Sequence, residues 1–252
     1  MKAVILAGGY GTRISEETRL KPKSLIEIGG MPILWHIMKI YSNYSIHDFI
    51  ICAGYKSDIL KNYFDDNFEH EPIANDDLSV LGSYSSKSEN FRITLVDTGL
   101  DTMTGGRLKR IEKFVGDDTF CFTYGDTLNN ANITNLVNFH KDHNASCTIT
   151  ACNPTDKYGI LQLNNDLVVD FIEKPVKSDV WVNGGFFVAE PEIFQYLKND
   201  QSIWESEPLK KLIFSGKVVA FRHTGFYQPM DTMKDKLVLE KLWKTGNTPW
   251  LI

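Results

Sequence analysis

Three glycines and a set of cations near the amino terminus carry the first chemical suggestion in this chain. Gly8, Gly9 and Gly11 punctuate the run Leu6-Ala7-Gly8-Gly9-Tyr10-Gly11-Thr12-Arg13. Glycine lets the backbone turn sharply and brings its N–H groups to a ligand with no side chain in the way. Rows of such groups bind anions, and Arg13 adds a fixed charge suited to phosphate. Lys21-Pro22-Lys23 supplies more positive charge, Lys23 standing ten residues beyond Arg13. Residue types in this order suit the grip of a polyphosphate. Two well-known phosphate loops are excluded by spacing. A P-loop needs Gly-Lys-Ser/Thr after four intervening residues, but counting on from Gly8 or Gly9 reaches Arg13 or Ile14. The dinucleotide fingerprint needs a third glycine where Ile14 stands. Without either spacing, an ordinary tight turn remains the plain alternative.

Two carboxylates stand out further along. Phe120-Cys121-Phe122-Thr123-Tyr124-Gly125-Asp126 reads as a strand that ends in an acid. An acid there suits Mg²⁺, which takes one or two carboxylates plus phosphate oxygens; a simple turn residue is the other reading. Asp231 stands at the start of a helical stretch, where its side chain could instead cap the helix.

These groups need a scaffold, and the apolar pattern supplies one. Lys2–Ala7 is a nearly unbroken apolar run, as expected of a strand buried on both faces. Pro32–Tyr44 has helical spacing, Asp48–Gly54 reads as a strand, and Lys56–Phe64 as a helix. His36 falls inside the first helix as an ordinary residue with a satisfied ring. Strand, helix, strand, helix predicts a doubly wound α/β fold. The expected architecture is a Rossmann-like, mostly parallel mixed sheet with helices on both faces. Ligands in such sheets bind beyond the carboxyl ends of the strands, where the glycine loop lies.

The stretch 69–90 is polar and reads as a long connection without regular structure, covering the site or reaching a neighbouring subunit, with a disordered surface loop as the equal alternative. Phe91–Asp97 is a strand, Thr104-Gly105-Gly106 a turn, and Arg107–Val115 a helix. At least one of Arg107, Lys109 and Arg110 is expected on a solvated helix face. Helix Ile133–His143 leads into apolar runs at 147–152, 160–163 and 168–171, expected as strands of a second lobe on the same sheet. Val218–Phe221 and a helix from about Asp231 to Lys244 end the fold, with Trp243 and Trp250 packing the tail.

Several motifs together resemble the sugar-phosphate nucleotidyltransferases: Gly-x-Gly-Thr-Arg behind an amino-terminal strand, then Lys-Pro-Lys. Gly29-Gly30-Met31-Pro32-Ile33-Leu34-Trp35-His36-Ile37-Met38, Met103-Thr104-Gly105-Gly106-Arg107-Leu108-Lys109-Arg110 and Phe226-Tyr227-Gln228-Pro229-Met230-Asp231-Thr232 resemble the branch that uses CTP. The resemblance runs from Met1 to Trp250 and is weakest at 69–91. It implies transfer from CTP to a sugar 1-phosphate, giving a CDP-sugar and pyrophosphate, with Mg²⁺ as cofactor and a homo-oligomeric assembly. Glucose as the sugar comes from the resemblance alone.

Residue by residue, the resemblance implies nucleotide contacts from Leu6, Ala7, Gly8, Gly9, Gly11, Thr12, Arg13, Lys23, Thr104, Gly105, Arg107 and Gly125. Catalytic roles fall to Arg13, Lys23, Asp126 and Asp231, the two acids holding the metal. The segment Thr104–Gly106 would meet the base through its backbone, with Arg107 as a further donor. Gly159, Glu173, Lys174, Asn183 and Gly184 would hold the sugar phosphate; an exposed ion pair is the alternative for Glu173 and Lys174. Thr127 stands where that branch leads one to expect glycine, which leaves the acceptor open. Another nucleotide or acceptor is the nearest rival reading. A non-catalytic nucleotide-sugar-binding protein is a more distant one, and loss of Lys23 or of an acid would have favoured it.

Composition sets outer bounds. A chain of 252 residues suits one nucleotidyltransferase domain spanning 1–252. Its nucleotide-binding half is expected at about 1–130, its sugar-binding half at about 131–231, and a helix and tail at 232–252. Net charge is −5, from 27 Lys and Arg against 32 Asp and Glu, which argues against a nucleic-acid partner. No apolar run approaches the roughly 18 residues of a membrane span, and the short first run does not read as a signal peptide. Four cysteines without a CxxC spacing are expected as reduced core thiols of a cytoplasmic protein.

Overall fold

Strand β1 (Lys2–Leu6) has no polar break after Lys2 because both of its faces are covered. Successive side chains of a strand alternate faces. Ala3 and Ile5 therefore enter one core cluster, Val4 and Leu6 the other, on opposite sides of the sheet. The computed structural model describes residues 1–73, 77–153, 160–164, 167–172 and 180–251.

From β1 the chain passes α1 (Ser15–Thr18), the paired β2 (Glu27–Ile28) and β3 (Met31–Pro32), and α2 (Ile33–Ser42). It then enters β4 (Asp48–Ala53), parallel to β1. Helix α3 (Ser57–Asn67), β5 (Glu69–Glu71) and β6 (Val80–Ser86) lead to β7 (Phe91–Asp97), parallel to β4. Helices α4 (Thr104–Arg110) and α5 (Glu112–Val115) carry the chain back to β8 (Phe120–Tyr124), on the other side of β1. Next come β9 (Thr127–Asn129), α6 (Ile133–His143), β10 (Cys147–Cys152), β11 (Ile160–Asn164), β12 (Leu167–Ile172) and β13 (Val182–Ala189). The chain closes with α7 (Glu207–Phe214), β14 (Val218–His223), β15 (Tyr227–Pro229) and α8 (Met233–Lys244).

Among the described residues the main sheet has nine strands, in the order β14-β10-β13-β8-β1-β4-β7-β6-β5. β6 and β13 run against the direction of the others. Strand order switches at β1, with β4 and β7 on one side and β8 on the other, and such a switch opens a crevice at the carboxyl ends. Leu6 and Tyr124 are register partners. The glycine loop after β1 and Gly125-Asp126 after β8 therefore emerge side by side, tied by the Gly125 N–H donating to the Leu6 carbonyl at 3.0 Å.

Some expectations are corrected. The stretch 69–90 is not a connection without regular structure: β5 and β6 extend the sheet edge beside β7. The serines of β6 leave part of it half-exposed while Gly82 and Tyr84 are buried, a pattern of one covered face that the polar composition hid. Thr104-Gly105-Gly106 is not a turn but the start of α4. Its glycines allow close approach to the 200–202 backbone, where added Cβ atoms would meet Ser202 O at 2.8 Å and Asp200 O at 2.5 Å. The runs at 160–163 and 168–171 pair with each other as β11 and β12, apart from the main sheet. Helix α8 is capped by Thr232, whose side chain and that of Asp235 form a reciprocal capping box; Asp231 takes no part in it.

His36 is buried, with Nε2 2.9 Å from the Ile28 carbonyl oxygen and Nδ1 accepting from Trp250 at 3.2 Å. The four cysteines are buried free thiols. No helix among the described residues is long and apolar enough to cross a membrane.

Candidate active site

A short ladder brings the two acids together. β9 and β15 pair antiparallel, with Pro229 opposite Thr127. One step further on, the Met230 N–H donates to the Asp126 carbonyl at 2.8 Å. Lys23 arrives from a single 3₁₀ turn, Lys23–Leu25. Its Nζ lies 2.6 Å from Asp126 Oδ2 and 2.9 Å from Asp231 Oδ1. Arg13 Nη1 donates to Asp231 Oδ2 at 2.8 Å. The Lys23 side chain is 12% exposed and that of Arg13 69%. Lys23 thus acts where water and salt screen its charge less, while Arg13 stands at the rim. Lys21 faces elsewhere and pairs with Glu27 at 2.9 Å. The Thr127 hydroxyl donates to Asp126 Oδ1 at 3.1 Å, so the side chain that replaces the expected glycine steadies the acid beside it.

Two cavities share Leu6, Gly9, Arg13 and Asp126. One, of about 190 Å³, is bounded by Gly11, Thr12, Lys23 and Gly125. The other, of about 610 Å³, runs from Gly8 past Asp101 and Thr104 to Tyr124, Asn183 and Tyr227. That volume is in the range of small-molecule and cofactor sites. Across its mouth, the Tyr10 hydroxyl donates to Asp101 Oδ1 at 2.5 Å, and the Tyr10 ring packs on Tyr55 with centroids 5.1 Å apart. Glu205 accepts from the lining residues Thr104, through Oγ1 at 2.7 Å, and Tyr124, through its hydroxyl at 2.5 Å. Asn183 Nδ2 donates to the same hydroxyl at 3.1 Å. Burial and the nearby Glu205 push the Tyr124 pKa well up, so its hydroxyl keeps its proton.

Most residues singled out in the sequence reach these cavities: Leu6, Gly8, Thr104, Asn183 and Asp231 the larger, Ala7, Gly11, Thr12 and Gly125 the smaller. Gly105 does not; it is buried against Ser202. Gly184 is buried beside Cys152, while its neighbours Asn183 and Gly185 line the larger space. Arg107 borders that space, but its hydrogen bonds go to backbone carbonyls and one hydroxyl. Lys109 pairs with Glu112 at 2.7 Å and Arg110 with Asp200 at 2.6 Å on the partly exposed side of the helix. Gly159, Glu173 and Lys174 lie outside the described residues. Tyr10, Tyr124, Glu205 and Tyr227 went unnoticed in the sequence. Tyr124, two residues before Asp126 at a strand end, had a signal; Glu205 had none.

The glycine loop after β1, Lys23, Asp126 after β8 and Asp231 after β15 stand together where the two cavities meet. The nucleotidyl transferase family model matches residues 2–232, and the chain belongs to that family of enzymes. It is 48% identical to the glucose-1-phosphate cytidylyltransferase of Salmonella typhimurium, over 99% of this chain and 98% of that one. It is 41% identical to a Bacillus subtilis protein named "Probable glucose-1-phosphate cytidylyltransferase", over the full length of both. Among solved structures, HddC from Yersinia pseudotuberculosis complexed with GMP-PN superposes with a TM-score of 0.72. That match covers 96% of this chain and 99% of the other at 22% identity, and speaks to the fold alone.

Proposed function

We propose that the chain makes CDP-glucose and pyrophosphate from CTP and glucose 1-phosphate. The identity of the relatives supports this choice of substrates. The observation that carries the chemistry is the Arg13–Asp231–Lys23–Asp126 cluster at the junction of the two cavities.

The sugar's phosphate oxygen attacks the α-phosphorus of CTP in line; a new P–O bond forms as the bond to the β-phosphate breaks. No covalent enzyme intermediate is needed, and catalysis reduces to positioning and charge stabilisation. Backbone N–H groups of the glycine loop and Arg13 hold the triphosphate. Lys23 Nζ meets the negative charge that builds at the α-phosphate. That ammonium lies between the two carboxylates, which fix it beside the cavity where the triphosphate is proposed to sit.

The two acids also fit Mg²⁺. They already converge on one cation, the Lys23 ammonium, at 2.6 and 2.9 Å. Among the described residues no group of three or more His, Cys, Asp or Glu forms a metal site by itself. That suits Mg²⁺, which is bound through one or two carboxylates and completes its shell with phosphate oxygens and water. Asp126 and Asp231 would hold it, and when bound it supplies charge neutralisation on the phosphates. Thr127 holds Oδ1 of Asp126, and Oδ2 faces the Lys23 ammonium. Buried, reduced thiols are consistent with work in the cytoplasm.

The test is product analysis. The purified protein with CTP, glucose 1-phosphate and Mg²⁺ should form CDP-glucose and pyrophosphate in equal amounts. Pyrophosphate without CDP-glucose, or neither product, would contradict the reading.

A further inference from the structure

Arg107 lies in α4 and is 4% exposed. Its Nη1 donates to the carbonyls of Ala53 at 3.1 Å and Gly99 at 2.7 Å, and to the Thr98 hydroxyl at 2.8 Å. Its Nη2 donates to the carbonyls of Gly8 at 2.9 Å and Leu100 at 3.2 Å. These acceptors stand at or just past the ends of β1, β4 and β7, three neighbours in the sheet. Burying a guanidinium is costly unless its donors are met. Here five oxygens from three chain segments meet the Nη1 and Nη2 donors, so the cation and the segments hold one another in place.

We infer that Arg107 is a positioning residue, which aims backbone N–H groups at the nucleotide without itself reading the base. The reason is peptide geometry. In a planar trans peptide the C=O of one residue and the N–H of the next point to opposite sides. The Gly8 carbonyl is drawn inward by Arg107 and by the Tyr55 N–H at 3.0 Å. The Gly9 N–H must then face the other way, and Gly9 lines both cavities. The Leu100 carbonyl is drawn in likewise, which turns the Asp101 N–H away from the guanidinium, and Asp101 lines the larger cavity. One side chain thus sets peptide planes in the phosphate loop and in the segment across from it. The close fit leaves no room for a Cβ on Gly8 or Gly54, either of which would overlap the Arg107 guanidinium. Gly8 therefore has a reason to be glycine apart from any phosphate. Lysine could not take this place, because a single ammonium cannot span acceptors that a planar fork reaches together.

The role rests on the nucleotidyltransferase reading. The test compares kcat/KM for CTP and UTP in the unmutated enzyme, Arg107→Lys and Arg107→Ala. UTP is measured as a competitor of CTP where its turnover is too slow. Loss of charge-assisted hydrogen bonds should lower kcat/KM about 10- to 100-fold for both nucleotides. The CTP-to-UTP ratio should hold, the KM for the sugar 1-phosphate should stay near its original value, and millimolar guanidinium should restore part of the Arg107→Ala rate. A ratio that collapses toward one would make Arg107 a base reader and overturn the role. So would variants that melt earlier yet keep the KM for CTP, or guanidinium that rescues nothing. If Arg107→Ala does not fold, the Arg107→Lys ratio decides alone. An unmutated enzyme inactive with CTP overturns the functional reading and this role with it, whereas an active one with a collapsed ratio overturns the role alone.

Discussion

Replacing Asp231 by Asn separates charge from helix capping. The amide keeps the shape of the side chain but lacks the charge that faces Lys23 at 2.9 Å and Arg13 at 2.8 Å. The pair with Arg13 borders solvent, Arg13 being 69% exposed, and contributes about 0–1 kcal/mol to stability, while the pair with Lys23, 12% exposed, is more covered. Lys23 faces Oδ1 and Arg13 faces Oδ2, so the single amide oxygen keeps one of these contacts and the NH2 group loses the other, which puts the net loss at about 1 kcal/mol. For a chain of this size a loss of about 1 kcal/mol lowers Tm by roughly 2–4 °C. The rate should respond far more, because preorganised charge at a transition state is worth about 10²–10³ in kcat. Thr232→Ala should do the reverse. It removes the capping box of α8, costs about 0.5–2 kcal/mol, and should leave kcat nearly unchanged. Pyrophosphate release and thermal melting on both variants give the comparison. Asp231→Asn with a lowered Tm and an intact kcat would refute the reasoning, since the acid would then be structural.

Lys23→Ala should lower kcat more than it raises the KM for CTP, because its charge is most useful as the transition state forms. Lys21→Ala, which breaks only the pair with Glu27, should change either constant little; equal damage from the two lysines would contradict the assignment. Tyr124→Phe removes the hydroxyl shared by Glu205 and Asn183 and should raise the KM for substrates about two- to tenfold, the scale of one hydrogen bond; unchanged steady-state constants would show the network to be idle. Burial pushes the thiols of Cys52, Cys121 and Cys152 up to about 12 and raises that of Cys147 as well. Iodoacetamide at pH 8 should therefore label none of the four in the native protein and all in denaturant. The raised values have a sign in stability: their contribution is whole below the ordinary thiol value of 9.0 and is lost as pH rises toward about 12, so Tm should fall across that window.

The sequence was most legible where local chemistry and buried pattern agreed. β1 and its glycine loop could be read because an apolar run with both faces covered leaves few alternatives, and a strand that ends in glycines exposes N–H groups. β6 could not, because its serines suit an edge strand as well as they suit a loop, and only pairing with β7 decides between them. Asp231 and Thr232 both had the chemistry of a cap; the ladder between β9 and β15 leaves Asp231 facing Lys23 and gives the cap to Thr232. Arg107, Lys109 and Arg110 looked alike as helix cations. What separates them is the closure of three segments over Arg107, which no spacing within the helix records. Glu205 comes from a stretch between elements and joins the site through Thr104 and Tyr124.

The central claim is the joint choice of CTP and glucose 1-phosphate, and the most direct measurement is kcat/KM for pyrophosphate release over four nucleoside triphosphates and several sugar 1-phosphates. Cytosine and uracil have the same size and differ at one exocyclic group and the adjacent ring nitrogen. A mismatched buried polar group costs roughly 1–3 kcal/mol, which is about ten- to hundredfold per group. CTP with glucose 1-phosphate should lead UTP and the purine triphosphates by at least that margin. Equal use of UTP would contradict the cytidylyl assignment, while leaving nucleotidyl transfer itself in place.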